Sequence, residues 1–429
     1  MKTLLTLFSF GLFLSVSAQT YTSHFTGSLD DLETEPLGGV CLMGGAGEAD
    51  PASTWFLEQA NGGDILVLRA SGSDGYNDYF YSDLGVSVNS VETIVFHEAA
   101  AAEEGYIHEQ IQKAEAIWFA GGNQWTYISY WRNTAIDSLI RKGIAERDLV
   151  VGGTSAGMAI LGDVYFSAEN GTVTSYEALN NPFHPNVTAD STRFIDAPFL
   201  SETITDTHYD DPDRKGRHLV FMSRILMDYG INAKGIACDE YTAVCIDPEG
   251  MAHVYGAFPD YDDNAYFLQT NCDLPEPGPE VFEDETALTW SHDQQAVRVY
   301  AVKGTATGEN TFDLTNWRNG SGGEWQFWSA DDGLLTEEPG TAPLCDLGWS
   351  NLDELTEIEI LNQLGYVKIS ASEPMRRIVI TSISGAIIND YQFDGHSKFQ
   401  FQIAKDELPN LIMISVETNK GIKRQLMAQ

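Results

Sequence analysis

Residues 149–161 read Leu149-Val150-Val151-Gly152-Gly153-Thr154-Ser155-Ala156-Gly157-Met158-Ala159-Ile160-Leu161 and constrain the fold more than any other stretch. A β-branched run ends in two glycines. A serine, a small residue, a further glycine and an apolar helical stretch follow. Gly153-Thr154-Ser155-Ala156-Gly157 fits G-x-S-x-G, in which a serine is lifted off a strand end at a sharp strand-to-helix turn. Its neighbours must be small, or strand and helix collide. Ala156 opens the helix, so its N–H is expected to face an oxyanion, helped by the helix dipole. A plain glycine-rich turn is the alternative. The flanking strand and helix favour a nucleophile at Ser155.

A strand of this kind belongs to a parallel sheet, and the chain upstream supplies more of them. Residues 38–47 read as a first strand and a glycine-rich turn, and 64–69, 92–96 and 116–120 are further short apolar runs that alternate with helical stretches near 107–114 and 127–142. The expected fold class is α/β, with a mostly parallel doubly wound sheet and its site at the carboxyl ends of the strands. Beyond Leu161 the pattern stays mixed, with strands at 236–238, 242–246, 253–256 and 296–302. Residues 303–350 lose periodicity and read as a domain tail and linker. From about 353 short strands with turns between them predict a small all-β sandwich. The expected division is 1–18, 19–350 and 351–429.

Charge narrows the partners. Asp and Glu number 63 against 24 Lys and Arg, a formal charge of -39. That argues against nucleic acid and against a basic membrane-binding surface; it suits a cationic substrate, and equally an acidic surface that keeps an exported protein in solution. Residues 1–18 have the form of a secretory signal: Lys2, an apolar core from Leu4 to Leu14, and small residues before a cut near Gln19. The five cysteines, Cys41, Cys238, Cys245, Cys272 and Cys345, match no zinc spacing. Their odd number leaves at least one unpaired within the chain, and Cys272 with Cys345 is one conceivable bridge. No metal or cofactor is expected.

A serine nucleophile needs a base, and the base needs an orienting acid. Among nine histidines His208 is the best candidate, because it follows an extended run and precedes the polar loop Asp210–Arg217. For the acid two readings stay open. Glu240 ends the apolar run Ile236-Ala237-Cys238, and Glu177 lies in Thr174–Leu179.

Four motifs occur in order: Phe119-Ala120-Gly121-Gly122-Asn123-Gln124, Gly153–Gly157, Asp206-Thr207-His208-Tyr209 with Arg214 and Arg217, and Gly235–Ala243. Together they resemble cyanophycinases, serine exopeptidases related to aspartyl dipeptidase with a fold similar to class I glutamine amidotransferases. The resemblance covers about residues 38–305. It implies a triad of Ser155, His208 and Glu240, an oxyanion hole including Gly122 and Ala156, and substrate contacts at Gln124, Arg214 and Arg217, with Glu177 a further candidate. The arginines are forked donors suited to an aspartyl carboxylate. The implied activity is serine-type hydrolysis of aspartyl peptides or a β-Asp-Arg polymer. The acidic loop Asp210-Asp211-Pro212-Asp213 departs from the more basic family pattern and puts the substrate in question. An esterase of the α/β-hydrolase type is the alternative enzyme, but its acid precedes its histidine. A non-catalytic surface binding protein is the other alternative, and nothing in the sequence favours it.

The tail resembles the C-terminal sorting domain of type IX secretion, on Val367-Lys368-Ile369-Ser370, residues 377–385, Phe401, residues 411–418 and Lys423-Arg424. Expected partners are therefore a peptide or poly-aspartyl substrate and the type IX secretion machinery. A homodimer is compatible with the sequence. The expected location is outside the cell or on its surface, reached through the periplasm.

Overall fold

The computed structural model describes residues 19–344 and the tail strands that lie between 358 and 428. The expected export segment 1–18, the end of the expected linker and Cys345 lie outside the described residues.

The first half of the chain supplies β1 (Tyr21–Gly27), β2 (Val40–Met43), β3 (Asp64–Arg69), β4 (Ser90–Phe96), β5 (Ala116–Phe119) and β6 (Val150–Thr154). Strands β4-β3-β5-β6-β2 lie side by side and parallel, and β1 closes one edge antiparallel to β4. Alternate residues of these strands enter separate cores. Leu42, Ile117 and Val151 pack on one face, and Cys41, Trp118 and Val150 on the other. Both faces are buried, which is why these strands read as continuous apolar runs. The α/β expectation, with a mostly parallel central sheet, matches the fold.

Two ribbon strands, β7 (Tyr165–Phe166) and β8 (Ala189–Asp190), precede β9 (Thr203–Asp206), β10 (Lys234–Cys238), β11 (Ala243–Ile246), β12 (Met251–Phe258), β13 (Asn264–Thr270) and β14 (Val297–Lys303). The expected strands at 242–246 and 253–256 are β11 and β12, which pair as a hairpin and extend the first sheet beyond β2. Strands β9, β10, β13 and β14 belong to a second sheet, in which β9 and β10 are parallel and β13 is antiparallel to both β10 and β14. Thr205 Oγ1 on β9 donates to the Met158 carbonyl at 2.9 Å, and Cys238 Sγ on β10 lies 3.8 Å from the Leu42 carbonyl. These contacts hold the ends of the two sheets together.

Two expectations change. The helical stretch at 127–142 is two helices, Gln124–Trp131 and Ala135–Arg147. Asn133 has φ 61°, and Thr134 accepts from the Ile136 N–H, so the chain breaks and starts a second helix. The stretch read as aperiodic tail holds β15 (Thr311–Asp313), β16 (Gly320–Ser321), β17 (Gly323–Asp331) and β18 (Leu334–Pro339), which continue both sheets. Glycine and tryptophan hid the alternation: Trp328 is buried, whereas Gly323 has no side chain to report its face.

In the tail, strands within 358–404 form a three-stranded sheet and strands within 375–428 a four-stranded one. Val367, Ile369 and Ile403 of the first share a buried cluster with Met375, Ile378 and Ile380 of the second. Among the described residues no helix is long and apolar enough to cross a membrane.

Candidate active site

Ser155 follows β6 directly. Its φ of 53° and ψ of -117° lie outside the common regions for a residue with a Cβ, as expected of a serine raised on a strained turn. The turn closes because Gly157 has no side chain: a Cβ there would meet the Phe119 carbonyl of β5. The Ser155 N–H is held by the Met43 carbonyl at 3.0 Å. The following helix is only Ala156–Ala159. A single turn contributes little macrodipole, so the expected dipole assistance reduces to the unpaired first-turn amides.

His208 and Glu240 come from the second sheet, just past the ends of β9 and β10. Ser155 Oγ lies 2.8 Å from His208 Nε2, and His208 Nδ1 lies 2.6 Å from Glu240 Oε1. This chain of contacts requires the proton on Nδ1, leaving Nε2 to accept from the serine. Both side chains are about one-fifth exposed, at 22% and 23%, so a substrate can reach them while the pair stays partly desolvated. His208 itself has φ 46°.

The turn after β2 joins the halves. The His208 N–H donates to the Gly44 carbonyl at 2.9 Å, and the Tyr241 N–H to Gly45 at 3.0 Å. Gly45 has φ 110°, and a Cβ on it would stand 2.5 Å from His208 Nε2. Asp210 Oδ1 accepts the Glu240 N–H at 2.9 Å, tying the two loops together directly. Gly44, Gly45 and Asp210 carry no site motif of their own in the sequence. The glycine run after the first parallel strand is the local signal that points to Gly44 and Gly45, and the polar loop 210–217 is the one that points to Asp210.

The turn after β5 lies against the serine. A Cβ on Gly121 would be 3.6 Å from the Ser155 Cβ. The Tyr127 hydroxyl binds the carbonyls of Ala120 and Gly121 at 3.1 and 3.0 Å. In planar trans peptides the N–H points opposite to the carbonyl, so the Gly121 and Gly122 amides face away from Tyr127. Gly121 is the residue of this turn that lies against Ser155, and Ala156 follows the serine directly in the chain.

The remaining candidates have other occupations. Glu177 is exposed and closes a capping box with Thr174 at the start of Ser175–Asn180. It forms no hydrogen bond with His208, and Glu240 fills that place. Hydrogen bonds from Thr174 hold the Glu177 carboxyl below its usual range. Gln124 donates to the Phe166 carbonyl at 2.7 Å. Arg217 is 3% exposed and grips Asp206 through Nε at 2.9 Å and through Nη2. Its Nη1 meets Thr172 and Val173. That corrects the expectation that Arg217 reads a substrate carboxylate, since its fork is already filled. The charge that would have indicated this is Asp206, a carboxylate ending a buried strand, which demands a partner. Arg214 donates Nη1 to the Thr207 carbonyl at 2.9 Å, while its buried Nε has no partner.

Burial sets the nearby titrations. Asp239, next to Glu240, is pushed up to about 7 by burial and by the charge of Asp210, against the Asn264 hydrogen bonds that lower it. Burial and Arg217 bring Arg214 down to about 10. Burial opposes ionisation of Asp206, but Arg217 outweighs it and holds the carboxyl below its usual range. Cys41, Cys238 and Cys245 are free buried thiols, and Cys272 is disulfide-bonded. Among the described residues no group of His, Cys, Asp or Glu is arranged to hold a metal ion.

Residues 70–254 match peptidase family S51. This span contains Ser155, His208 and Glu240 but not the Gly44-Gly45 turn. Cyanophycinases of Synechococcus elongatus and Thermosynechococcus vestitus are each 23% identical over 233 residues, covering 52% of this chain and 67% of theirs. A peptidase from an acI-B1 Actinobacterium aligns in structure with a TM-score of 0.40 at 15% identity, covering 56% of this chain and 93% of that one.

Proposed function

We propose, from the match of residues 70–254 to peptidase family S51, that the chain is a serine-type peptidase that hydrolyses aspartyl-containing peptides with Ser155, His208 and Glu240. The observation that carries this reading is the unbroken contact chain from Ser155 Oγ through the imidazole to Glu240, at 2.8 and 2.6 Å.

The chemistry follows from that order. His208 Nε2 takes the hydroxyl proton as Ser155 Oγ attacks the scissile carbonyl. The oxyanion is met by the Gly122 and Ala156 amides. The imidazolium, stabilised by Glu240, returns its proton to the leaving amine, and the C–N bond breaks. Water then gives a proton to His208 Nε2 and attacks the acyl carbonyl; the ester C–O bond breaks, the imidazolium returns the proton to Ser155 Oγ, and the carboxylic acid product leaves the free enzyme.

Three observations support a cationic residue on the leaving side, as in β-Asp-Arg. The relatives are cyanophycinases, and the chain is strongly acidic. A cavity of about 450 Å³ is lined by Glu48, Asp50, Tyr76 and Tyr79, and Glu48 lies three residues beyond Gly45. The tyrosine hydroxyls donate to Glu48 and Asp50, leaving two carboxylates between aromatic walls, which suits a guanidinium or ammonium. Export takes two steps in this reading: residues 1–18 direct the first, and the tail from 351 acts as a type IX sorting domain.

The test is a panel of β-aspartyl, α-aspartyl and alanyl dipeptides given to the wild type and to Ser155→Ala. Turnover of β-Asp-Arg or β-Asp-Lys, lost in Ser155→Ala with an unchanged melt, is the expected result. Full activity in a normally folded Ser155→Ala protein would overturn the nucleophile. Equal turnover of alanyl and aspartyl peptides would overturn the substrate class.

A further inference from the structure

We infer that Arg214 and the buried Asp206–Arg217 pair are positioning residues that clamp the Thr207 peptide and so hold His208 in line with Ser155, rather than groups that read the substrate. The inference rests on the triad proposed above.

Thr207 is buried at 4% exposure and precedes the histidine directly. Both sides of its backbone are fixed by side chains. Its N–H donates to Asp206 Oδ1 at 2.8 Å, and its carbonyl accepts from Arg214 Nη1 at 2.9 Å. Asp206 is in turn fixed by the fork of Arg217, and Arg217 Nη1 is anchored on Val173 and Thr172. From Thr172 to Thr207 every link is a hydrogen bond.

His208 needs such a restraint. Its φ of 46° is costly for a residue with a side chain, and strain of this kind persists only where surrounding contacts over-determine it. The imidazole also depends on its backbone for aim, because Ser155 lies on the other sheet. Its amide is held at Gly44, and the next amide, of Tyr209, at the Cys238 carbonyl. The clamp on Thr207 supplies the restraint on the amino-terminal side.

The arrangement is poorly suited to stability alone. Arg214 is largely desolvated with Nε unpartnered, a net cost that an apolar residue would avoid. The Arg217 fork is filled by Asp206, and the contact that places Arg214 is its Nη1 on the Thr207 carbonyl.

The decisive probe is a fluorophosphonate, which reacts with an activated serine and carries no carboxylate. Arg214→Met should lower the rate of Ser155 phosphonylation and kcat by the same factor, about tenfold to a hundredfold, the usual effect of misplacing a catalytic group by around an ångström. KM should stay within about twofold, and aspartyl and alanyl peptides should lose equally. Arg214→Lys should recover part of the loss, because a single donor can reach the Thr207 carbonyl. Unchanged phosphonylation with a raised KM confined to aspartyl peptides would overturn the inference and make Arg214 a substrate reader. Arg217→Met breaks a buried ion pair and can unfold the protein, so the test rests on Arg214. Ser155→Ala separates the two ideas: if it stays active, the triad itself fails; if it is inactive and Arg214→Met reacts normally, only the clamp fails.

Discussion

At the scale of single residues, the contrast between two glutamates is decisive. Glu240 accepts from His208 at 2.6 Å, while Glu177 spends its carboxylate on the amide and hydroxyl of Thr174. Glu240→Gln should lower kcat by roughly 10²–10⁴, because the imidazole loses its orienting charge. Glu177→Gln keeps an acceptor in the cap and should leave kcat unchanged. Steady-state kinetics on the two variants decides it, and the reverse ranking would move the acid to Glu177. The arginines teach the same lesson. Both lie where a substrate contact was expected, yet Arg217 is buried against Asp206, eleven positions earlier in the chain.

At the scale of elements, the turn after β2 carries more than its sequence announces. It reads as one more glycine-rich strand-to-helix turn, yet it receives the His208 amide and lets the imidazole approach. Gly45→Ala places a Cβ 2.5 Å from His208 Nε2 at a φ of 110°. Either the ring moves or the turn does. Activity should fall by about 10²-fold or more, since the ring must stay in reach of Ser155. Kinetics together with phosphonylation rates test this. Normal rates in Gly45→Ala would mean that the turn has room that its geometry denies.

At the scale of the molecule, buried carboxyls link stability to pH. Glu115 is 2% exposed, and burial raises it from the ordinary 4.5 to about 7 despite the Asp64 amide at 2.7 Å. Asp239 is raised to about 7 in the same way. A raised carboxyl binds more protons folded than unfolded, so stability is full below the unfolded value and falls as pH rises through the folded one. The window runs from about pH 4.5 to 7, and the Glu115 shift corresponds to roughly 3 kcal/mol. Thermal melts of wild type and Glu115→Gln across this window should show a shallower fall in the variant; parallel curves would refute it. The tail gives a second test at this scale. Deletion from about residue 353 should leave peptidase activity in purified protein but hold it in the periplasm of its host. Normal release after deletion would favour an accessory binding role.

Much of the protein is decided locally, and local features are legible in a sequence. The elbow at Ser155 follows from small residues between a strand and a helix, and the parallel core strands follow from continuous apolar runs buried on both faces. The β9-His208 and β10-Glu240 segments were marked by strand ends beside polar loops. What the sequence could not state is that Ser155 lies on one sheet and His208 with Glu240 on another, brought together by contacts such as Thr205 to Met158. Nor could it state the partners of its charges. An arginine near an active-site histidine looks the same whether it faces solvent, a substrate or a buried aspartate. Those assignments depend on distances between residues far apart in the chain. Packing of the two sheets fixes these distances, and with them which carboxylate orients the imidazole and which arginine is already taken.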